Sequence, residues 1–189
     1  MRSKQQYIIL LSLLFLSCNL FDTRDPENPI ADNQTLDNAT SPSMLISNFS
    51  TAFQQKNIQE YQKLFADSNF IFVPTQSAFT RYGSVFSSWN KTSETEYFRN
   101  AITEIGNASS PQLSFTPVSN VQYQSDSASY TVDYVVFIPH SRTTIKQFTG
   151  RSELYLSPNK NNIWAIHRWV DFETKKDSSW SELKGQFAK

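Results

Sequence analysis

The sequence has very few of the side chains that build metal centres and disulfides. Its 189 residues include one cysteine, Cys18, and two histidines, His140 and His167. A single cysteine cannot close a disulfide within the chain, and these residues cannot provide a four-cysteine zinc site or a multi-histidine metal site within one subunit. We therefore predict no metal and no cofactor.

Motifs that mark catalysis or nucleotide binding are missing as well. The chain has only four glycines and contains no GxGxxG, GxxxxGK[ST], HExxH or GxSxG pattern. These patterns carry nucleotide-binding, zinc-peptidase and serine-hydrolase chemistry, so the sequence supports none of these activities. A cysteine nucleophile is also excluded, because Cys18 precedes the part of the chain that we expect to fold.

The chain shows no excess of either charge sign, since 17 basic and 17 acidic side chains give a net charge of zero. Without a positive excess we expect no nucleic-acid partner. Hydrophobic residues make up 39% of the chain, aromatic residues 14% and charged residues only 18%. This composition is typical of a packed chain, and the length predicts one domain.

The N-terminus has the layout of a bacterial export signal. Arg2 and Lys4 precede the apolar stretch from Tyr7 to Leu16, which is about half as long as a membrane-spanning helix requires. The sequence Phe15-Leu16-Ser17-Cys18 resembles the lipobox of bacterial lipoproteins, with Phe15 in place of the usual leucine. The resemblance implies cleavage before Cys18, acylation of its sulfur, and a lipid-anchored location in the bacterial cell envelope, in the periplasm or facing the outside.

A polar segment separates this signal from the rest of the chain. The region after Cys18 up to Ser43 is rich in proline and acidic side chains and poor in apolar ones. Such a composition predicts an extended, disordered tether. We therefore divide the chain into a signal peptide (1–17), a lipidated cysteine with its tether (18–43) and one folded body (44–189).

The first half of the body is predicted to be mainly helical. Ser41 and Pro42 form a helix start, and apolar residues then follow at helical spacing with a break at Asn57. A pattern resembling a capping box at 93–96 begins a second helix that ends at Gly106. Between the helices, 70–73 is predicted as a strand, and the aromatic segment 76–91 is expected to pack on the core without an assigned element.

The second half changes from helical spacing to strand alternation. We predict strands over 113–118, 121–124, 129–138, 144–156 and 163–172, a bend or bulge at Gly150, and a short helix in the tail after Ser178. Helices followed by long antiparallel strands predict an α+β fold in which the helices pack on one face of a curved antiparallel sheet. An all-β barrel is the alternative, but it does not explain the early helices.

Several segments resemble the NTF2-like superfamily, also called SnoaL-like or cystatin-like cone proteins. The resemblance rests on KNIQEYQKLFADSNFIF and IWAIHRWVDF and covers residues 42 to about 172. The sequences TRDPENP and SWSELKG further resemble a group of uncharacterised bacterial lipoproteins with this domain. The resemblance implies a cone-shaped fold with N-terminal helices packed on the sheet, and an internal cavity.

Enzymes of this superfamily place Asp, His or Tyr side chains on the concave face of the sheet. The candidates here are Asp133, His167 and Asp171. Because His167, Trp169 and Asp171 occupy alternate positions of one predicted strand, we expect all three side chains on the same face. An acid–base pair there is the basis of an alternative hypothesis, an isomerase, hydratase or cyclase-like enzyme.

The favoured hypothesis is a non-catalytic binding module. Phe72, Trp89, Tyr134 and Trp169 are expected either to line a pocket for a small apolar ligand or to fill the core without one. The outer side of the sheet offers a second surface, for an envelope protein or for a homodimer. Its predicted residues alternate along one strand: Thr149, Arg151, Glu153 and Tyr155.

Overall fold

The computed structural model describes residues 35–107 and 109–188. The predicted signal peptide, Cys18 and most of the predicted tether lie outside the described residues. The helices are α1 (Pro42–Gln54), α2 (Ile58–Lys63), α3 (Gln76–Phe86), α4 (Lys91–Ile105) and α5 (Trp180–Phe187). The strands are β1 (Ile71–Val73), β2 (Gln112–Pro117), β3 (Gln122–Gln124), β4 (Ser127–Phe137), β5 (Gln147–Pro158) and β6 (Trp164–Glu173).

The first helical region forms as its local signals predict. Ser41 caps α1 by accepting a hydrogen bond from the backbone N–H of Met44 at 3.2 Å, and Pro42 occupies the first turn. The predicted break lies between α1 and α2, where Asn57 caps the second helix through the N–H of Glu60. The apolar residues of α1 are buried in the core: Leu45, Phe49, Ala52 and Phe53.

Two helical predictions differ from the structure. The aromatic segment without an assigned element forms α3, which starts at the Thr75 cap. The capping box predicted at 93–96 is wrong: Asn90 caps α4 by accepting from the N–H groups of Thr92 and Ser93, so Ser93 already lies within the first turn. Asn90 caps the helix in place of Ser93 because its carboxamide oxygen accepts from two free backbone N–H groups at once.

Six strands form one curved, unclosed sheet in the order β1-β6-β5-β4-β2, with β3 pairing β4 beyond the end of β2. All pairs are antiparallel except β1, which runs parallel to β6. The inner face is the side to which buried residues such as Tyr134, Leu154 and Trp169 point, and the outer face carries alternating neighbours such as Val135 and Arg151. The structure thus confirms the α+β class and excludes the barrel.

The bulge in the sheet is not at Gly150. The pairing of β5 and β6 shifts where Tyr155 faces Arg168 but Leu156 faces Ile166, which leaves His167 as the extra residue. Gly150 instead pairs regularly with Tyr134, and a Cβ there would lie 2.3 Å from the Tyr134 hydroxyl oxygen. Glycine is needed at this position to admit the tyrosine.

The folded unit begins before the predicted boundary at 44. Ala39 is buried, and its carbonyl oxygen accepts a hydrogen bond from the N–H of Trp164 at 2.7 Å. Asn48 donates from its side chain to the carbonyl oxygen of Asp37. Residues 35–43, placed in the tether by composition, therefore belong to the body.

The predicted tail helix is α5, and it packs inside the molecule. Trp180, Leu183 and Phe187 have no exposed surface, and neither has Lys184. Trp180 packs against Tyr134 and Trp169 of the inner face at ring-centroid distances of 5.1 and 4.6 Å. No helix among the described residues is long and apolar enough to cross a membrane.

Candidate functional site

Asp171 lies on the inner face and is fully engaged. One carboxylate oxygen accepts from the Tyr134 hydroxyl at 2.7 Å, and the other accepts from the N–H and the hydroxyl of Ser181 at 2.8 and 2.6 Å. Burial raises the pKa of Asp171 above its ordinary value, and the hydrogen bonds from Ser181 and Tyr134 oppose that rise. The carboxylate thus anchors the start of α5.

Asp133 lies on the opposite face of the sheet. Its neighbours Val132 and Tyr134 are buried, so its side chain points outward. There it forms a two-pronged ion pair with Arg151, at 2.8 and 3.2 Å, in which both side chains are nearly half exposed. Asp133 and Asp171 therefore do not face one another.

His167 also lies away from Asp171, so the predicted common face for these two residues is wrong. The bulge inserts one residue into β6, which puts Ile166 and Trp169 on the inner face and leaves His167 outside, against the ring of Tyr155. Burial and the charge of Arg168 lower the pKa of His167, and its Nδ1 atom is buried without a hydrogen-bond partner. Its side chain borders a surface groove of about 560 Å³. The structure does not assemble the predicted acid–base group.

The four predicted pocket residues do converge on the inner face. Phe72 lies 5.9 Å from Trp89 and 5.5 Å from Trp169 between ring centroids, and Tyr134 contacts the same cluster through Trp180. All four are buried. The space between them is filled by Trp180 and Lys184 of α5, so the docked helix occupies the position of the expected ligand.

Lys184 is enclosed by aromatic rings and one carboxylate, which we call the ammonium cage: Phe72, Trp89, Tyr97, Trp169 and Glu94. Its Nζ atom lies 3.5 Å from the Phe72 centroid, 3.6 Å from that of Trp169, and between 5.6 and 5.8 Å from those of Trp89 and Tyr97. It donates to Oε2 of Glu94 at 2.7 Å. Loss of hydration lowers the pKa of Lys184 to about 8, against the opposing effect of Glu94.

The cage carboxylate is positioned by three donors. Besides Lys184, the Trp89 indole N–H donates to Glu94 at 2.8 Å and the Tyr61 hydroxyl donates at 2.7 Å. Burial and the charge of Glu94 raise the pKa of Tyr61 well above its ordinary value, which keeps this hydroxyl protonated and able to donate. Neither Glu94 nor Lys184 has exposed surface. The pair is therefore a closed electrostatic unit inside an aromatic core.

A second ion pair holds α5 from the other side. Arg81 of α3 donates to Glu182 at 2.7 Å and to Asp177 at 2.6 Å. Tyr82 packs directly over Gly185, where a Cβ would lie 2.3 Å from the tyrosine ring. Helix α5 is thus fixed by α3, α4 and the inner face together.

The sequence interpretation missed the central residues of this site. Trp180 and Lys184 are four residues apart and so share one side of the tail helix, a signal that was available. Glu94 precedes the apolar Tyr97 and Phe98 at helical spacing, which also places it on the buried side of α4. Among the described residues, no group of three His, Cys, Asp or Glu side chains is arranged to hold a metal ion.

Comparison with known proteins adds information on the fold. No protein-family model matches the chain, and no curated protein matches it in sequence. A Novosphingobium aromaticivorans protein proposed to be an aromatic ring hydroxylase matches over 70% of this chain and 86% of its own, with 14% identity and a TM-score of 0.53. A conserved protein of Planctomyces limnophilus matches over 68% and 89%, with 10% identity and the same TM-score of 0.53.

A Salmonella enterica protein of the nuclear transport factor 2 (NTF2-like) superfamily covers 70% of the chain and 88% of its own length, with 13% identity and a TM-score of 0.47. At these identities the first two likenesses show a shared fold and nothing about activity. The chain thus shares the fold of these two proteins, and its bent pair of N-terminal helices and its curved, unclosed sheet are the arrangement that the resemblance to NTF2-like proteins predicts.

Proposed function

We propose that this chain is a lipid-anchored protein of the bacterial cell envelope whose NTF2-like domain binds a protein partner through the outer face of the sheet and catalyses no reaction. The observation that carries the proposal is the position of α5. Its Trp180 and Lys184 side chains fill the inner face, where a substrate would otherwise bind. The outer face remains the broad surface that is open to a partner.

The outer face has the composition of an interface. Val135, Phe137 and Phe172 are each more than a third exposed. They lie beside charged side chains of both signs, and Val135 and Phe137 border a surface groove of about 770 Å³. Apolar groups rimmed by polar ones are typical of protein interfaces.

A second copy of the same chain is the partner that this surface fits best. The charged residues of the outer face balance: Asp133 pairs with Arg151 across β4 and β5, and Glu153 of β5 and Arg168 of β6 add one further charge of each sign. In a twofold dimer the patch of one subunit contacts the same patch of the other. A patch with no net charge therefore does not repel its copy. A different envelope protein on this face is an outcome that the experiment below distinguishes.

The test is sedimentation equilibrium of the full-length chain carrying Cys18→Ala, so that acylation does not affect the mass. We expect a dimer that becomes a monomer in Val135→Asp/Phe172→Asp. Phe79→Asp is the matched control, because Phe79 is equally exposed but lies on α3. A monomer at all concentrations excludes the second copy, and pull-down from the envelope with the same variants then tests another protein partner.

Anchoring through Cys18 needs a separate test, since this residue lies outside the described part of the chain. Metabolic labelling with palmitate should mark the wild-type chain and leave Cys18→Ala unlabelled. Equal labelling of both forms would exclude the anchor. A change in solubility alone would not decide the question, because the signal peptide is also apolar.

The other hypotheses from the sequence have less support. A small apolar ligand at the inner face requires α5 to move, and native mass spectrometry before and after denaturation would detect such a ligand as a lost mass. An isomerase, hydratase or cyclase-like activity needs His167 and Asp133 near Asp171, but these residues lie on the opposite face. We therefore retain the binding module.

A further inference from the structure

The ammonium cage has the composition of a ligand site, although its occupant belongs to the same chain. Ring faces of Phe72 and Trp169 lie within 3.6 Å of Nζ of Lys184, and a carboxylate completes the enclosure. Aromatic rings around a cation, with one counter-charge, are the arrangement by which proteins recognise alkylammonium ligands. The cage therefore has the chemistry of ammonium recognition.

An ordinary core would not require this arrangement. Burying an ammonium and a carboxylate removes both from water, and an apolar pair of similar volume fills the same space without that loss. Here the carboxylate accepts hydrogen bonds from three donors. The aromatic rings surround the ammonium group of Lys184. The cage is thus matched to a positive charge and not only to a shape.

The occupant is carried by a short helix at the C-terminal end of the described residues. Helix α5 has only eight residues and is the last element of the described chain, attached through the Ser179 cap. Two of its buried side-chain oxygens, Oε1 of Glu182 and Oε1 of Gln186, have no hydrogen-bond partner. Orphaned oxygens weaken the docking of this helix relative to an apolar one.

We propose that the ammonium cage is a binding site for a small alkylammonium ligand, which the chain occupies with Lys184 while α5 is docked. The ligand replaces the lysine head group when α5 withdraws, and it pairs with Glu94 in the same geometry. This site lies on the face opposite the proposed partner surface. Both proposals involve the position of α5, but their tests use different surfaces and different variants, so either can fail alone.

Chemical rescue tests the proposal in the full-length chain. Lys184→Ala removes three carbons and the ammonium, the equivalent of n-propylammonium, which is the probe. We expect n-propylammonium chloride to raise the melting temperature of Lys184→Ala and to bind it at least ~10-fold more tightly than wild type, where the tethered lysine competes. Fluorescence of the cage tryptophans reports binding.

Two controls isolate the charge. 1-Propanol has the same length without the charge and should not rescue, and sodium chloride at equal ionic strength should have no effect. Glu94→Gln/Lys184→Ala should lose the amine response, because the counter-charge is gone. Equal responses to amine and alcohol, or an unchanged response in the double variant, would overturn the proposal.

The experiment can also be done if Lys184→Ala is unfolded in buffer without amine. The titration is then followed as recovery of the near-ultraviolet circular dichroism of the buried tryptophans. Recovery that depends on the amine supports the cage. If neither the amine nor the alcohol restores the signal, or if both restore it equally, the proposal is wrong.

Discussion

One ion pair lies on each side of the sheet, the inner one between α5 and α4 and the outer one between β5 and β4, and the two are nearly equally short. Lys184 and Glu94 on the inner side are 2.7 Å apart, and Arg151 and Asp133 on the outer side are 2.8 Å apart. Their surroundings differ completely: the inner pair has no exposed surface, whereas the outer side chains are 44% and 46% exposed. Distance alone therefore says little about what an ion pair does.

The two pairs differ in how much they contribute to stability, because solvent reaches only the outer pair. Around the outer pair, water and salt screen the attraction, so the charges contribute little to stability. The inner pair is shielded from solvent, so water cannot replace a lost partner and each charge depends on the other. Docking of α5 thus depends on Glu94, because Lys184 needs its counter-charge. The stability of the sheet, in contrast, does not depend on the outer pair.

The largest expected effect is the loss of one inner charge. In Glu94→Gln, the ammonium of Lys184 remains buried without its carboxylate, and the free energy of unfolding at pH 7 should fall by ~3–5 kcal/mol. Urea unfolding followed by tryptophan fluorescence measures this change. The amide oxygen can still accept from Trp89 while the amide NH2 donates to the Tyr61 hydroxyl, so the effect reports mainly the lost charge.

Removing both inner charges is the matching control. Glu94→Gln/Lys184→Met leaves no unpaired ion and fills a similar volume, so most of the lost stability should return. A double variant as unstable as Glu94→Gln would contradict this account. The lost stability would then come from packing in the cage and not from its electrostatics.

The sequence predicts those parts of the fold that depend on local signals. The cap at Ser41, the break before Asn57 and the alternation of β4 each rest on neighbouring residues, and the structure confirms all three. The overall α+β arrangement follows from the order of these elements. Local order and the resemblance together were sufficient for the fold.

The candidate site could not be derived in the same way. A bulge adds one residue to β6, and a period of two cannot reveal it, so the predicted face of His167 was wrong. The partner of Lys184 lies 90 residues away on α4, a pairing that exists only once α5 docks. Both failures concern interactions between elements, which spacing along one element does not encode.

Close packing on the inner face gives the next effect. In Gly150→Ala, the new Cβ would lie 2.3 Å from the Tyr134 hydroxyl oxygen and 2.7 Å from the Phe172 carbonyl oxygen. The sheet or the tyrosine must shift, and we expect a loss of ~1–3 kcal/mol in the free energy of unfolding. Thermal unfolding measures it.

Gly83→Ala is its control, because nothing lies within 4 Å of a Cβ at that position in α3. This change should be neutral or stabilising by up to ~1 kcal/mol. Equal losses at both glycines would show that the close approach of Tyr134 is not the cause.

The inner lysine should also appear in the pH dependence of stability. Its folded pKa of about 8 is below its ordinary 10.5, so between these values the unfolded chain binds more protons. The free energy of unfolding should therefore rise with pH from about 8, by at most ~1.4 kcal/mol per pH unit. Tyr61, Tyr97 and Tyr134, whose pKa values are raised by burial, reverse the trend once unfolded tyrosines ionise near pH 10.

The rise and the later fall together give a maximum of stability, which urea midpoints measured from pH 7 to 10.5 would show. In Glu94→Gln/Lys184→Met the rise should disappear, while the fall caused by the tyrosines should remain. A rise of equal slope in the double variant would assign it to another group. We expect the ion pair of the outer face to cause no such rise of stability with pH, because its charges remain hydrated.

The smallest effect is expected at the outer pair. Arg151→Ala and Asp133→Ala should leave the urea midpoint unchanged at concentrations where the chain is monomeric, because water replaces the lost partner. A clear loss of stability that grows with protein concentration would mean that the pair is shielded in solution, as it is when a second copy covers the outer face. The same loss in a strictly monomeric sample would instead contradict the contrast between the two faces, since an exposed pair would then behave like the buried one.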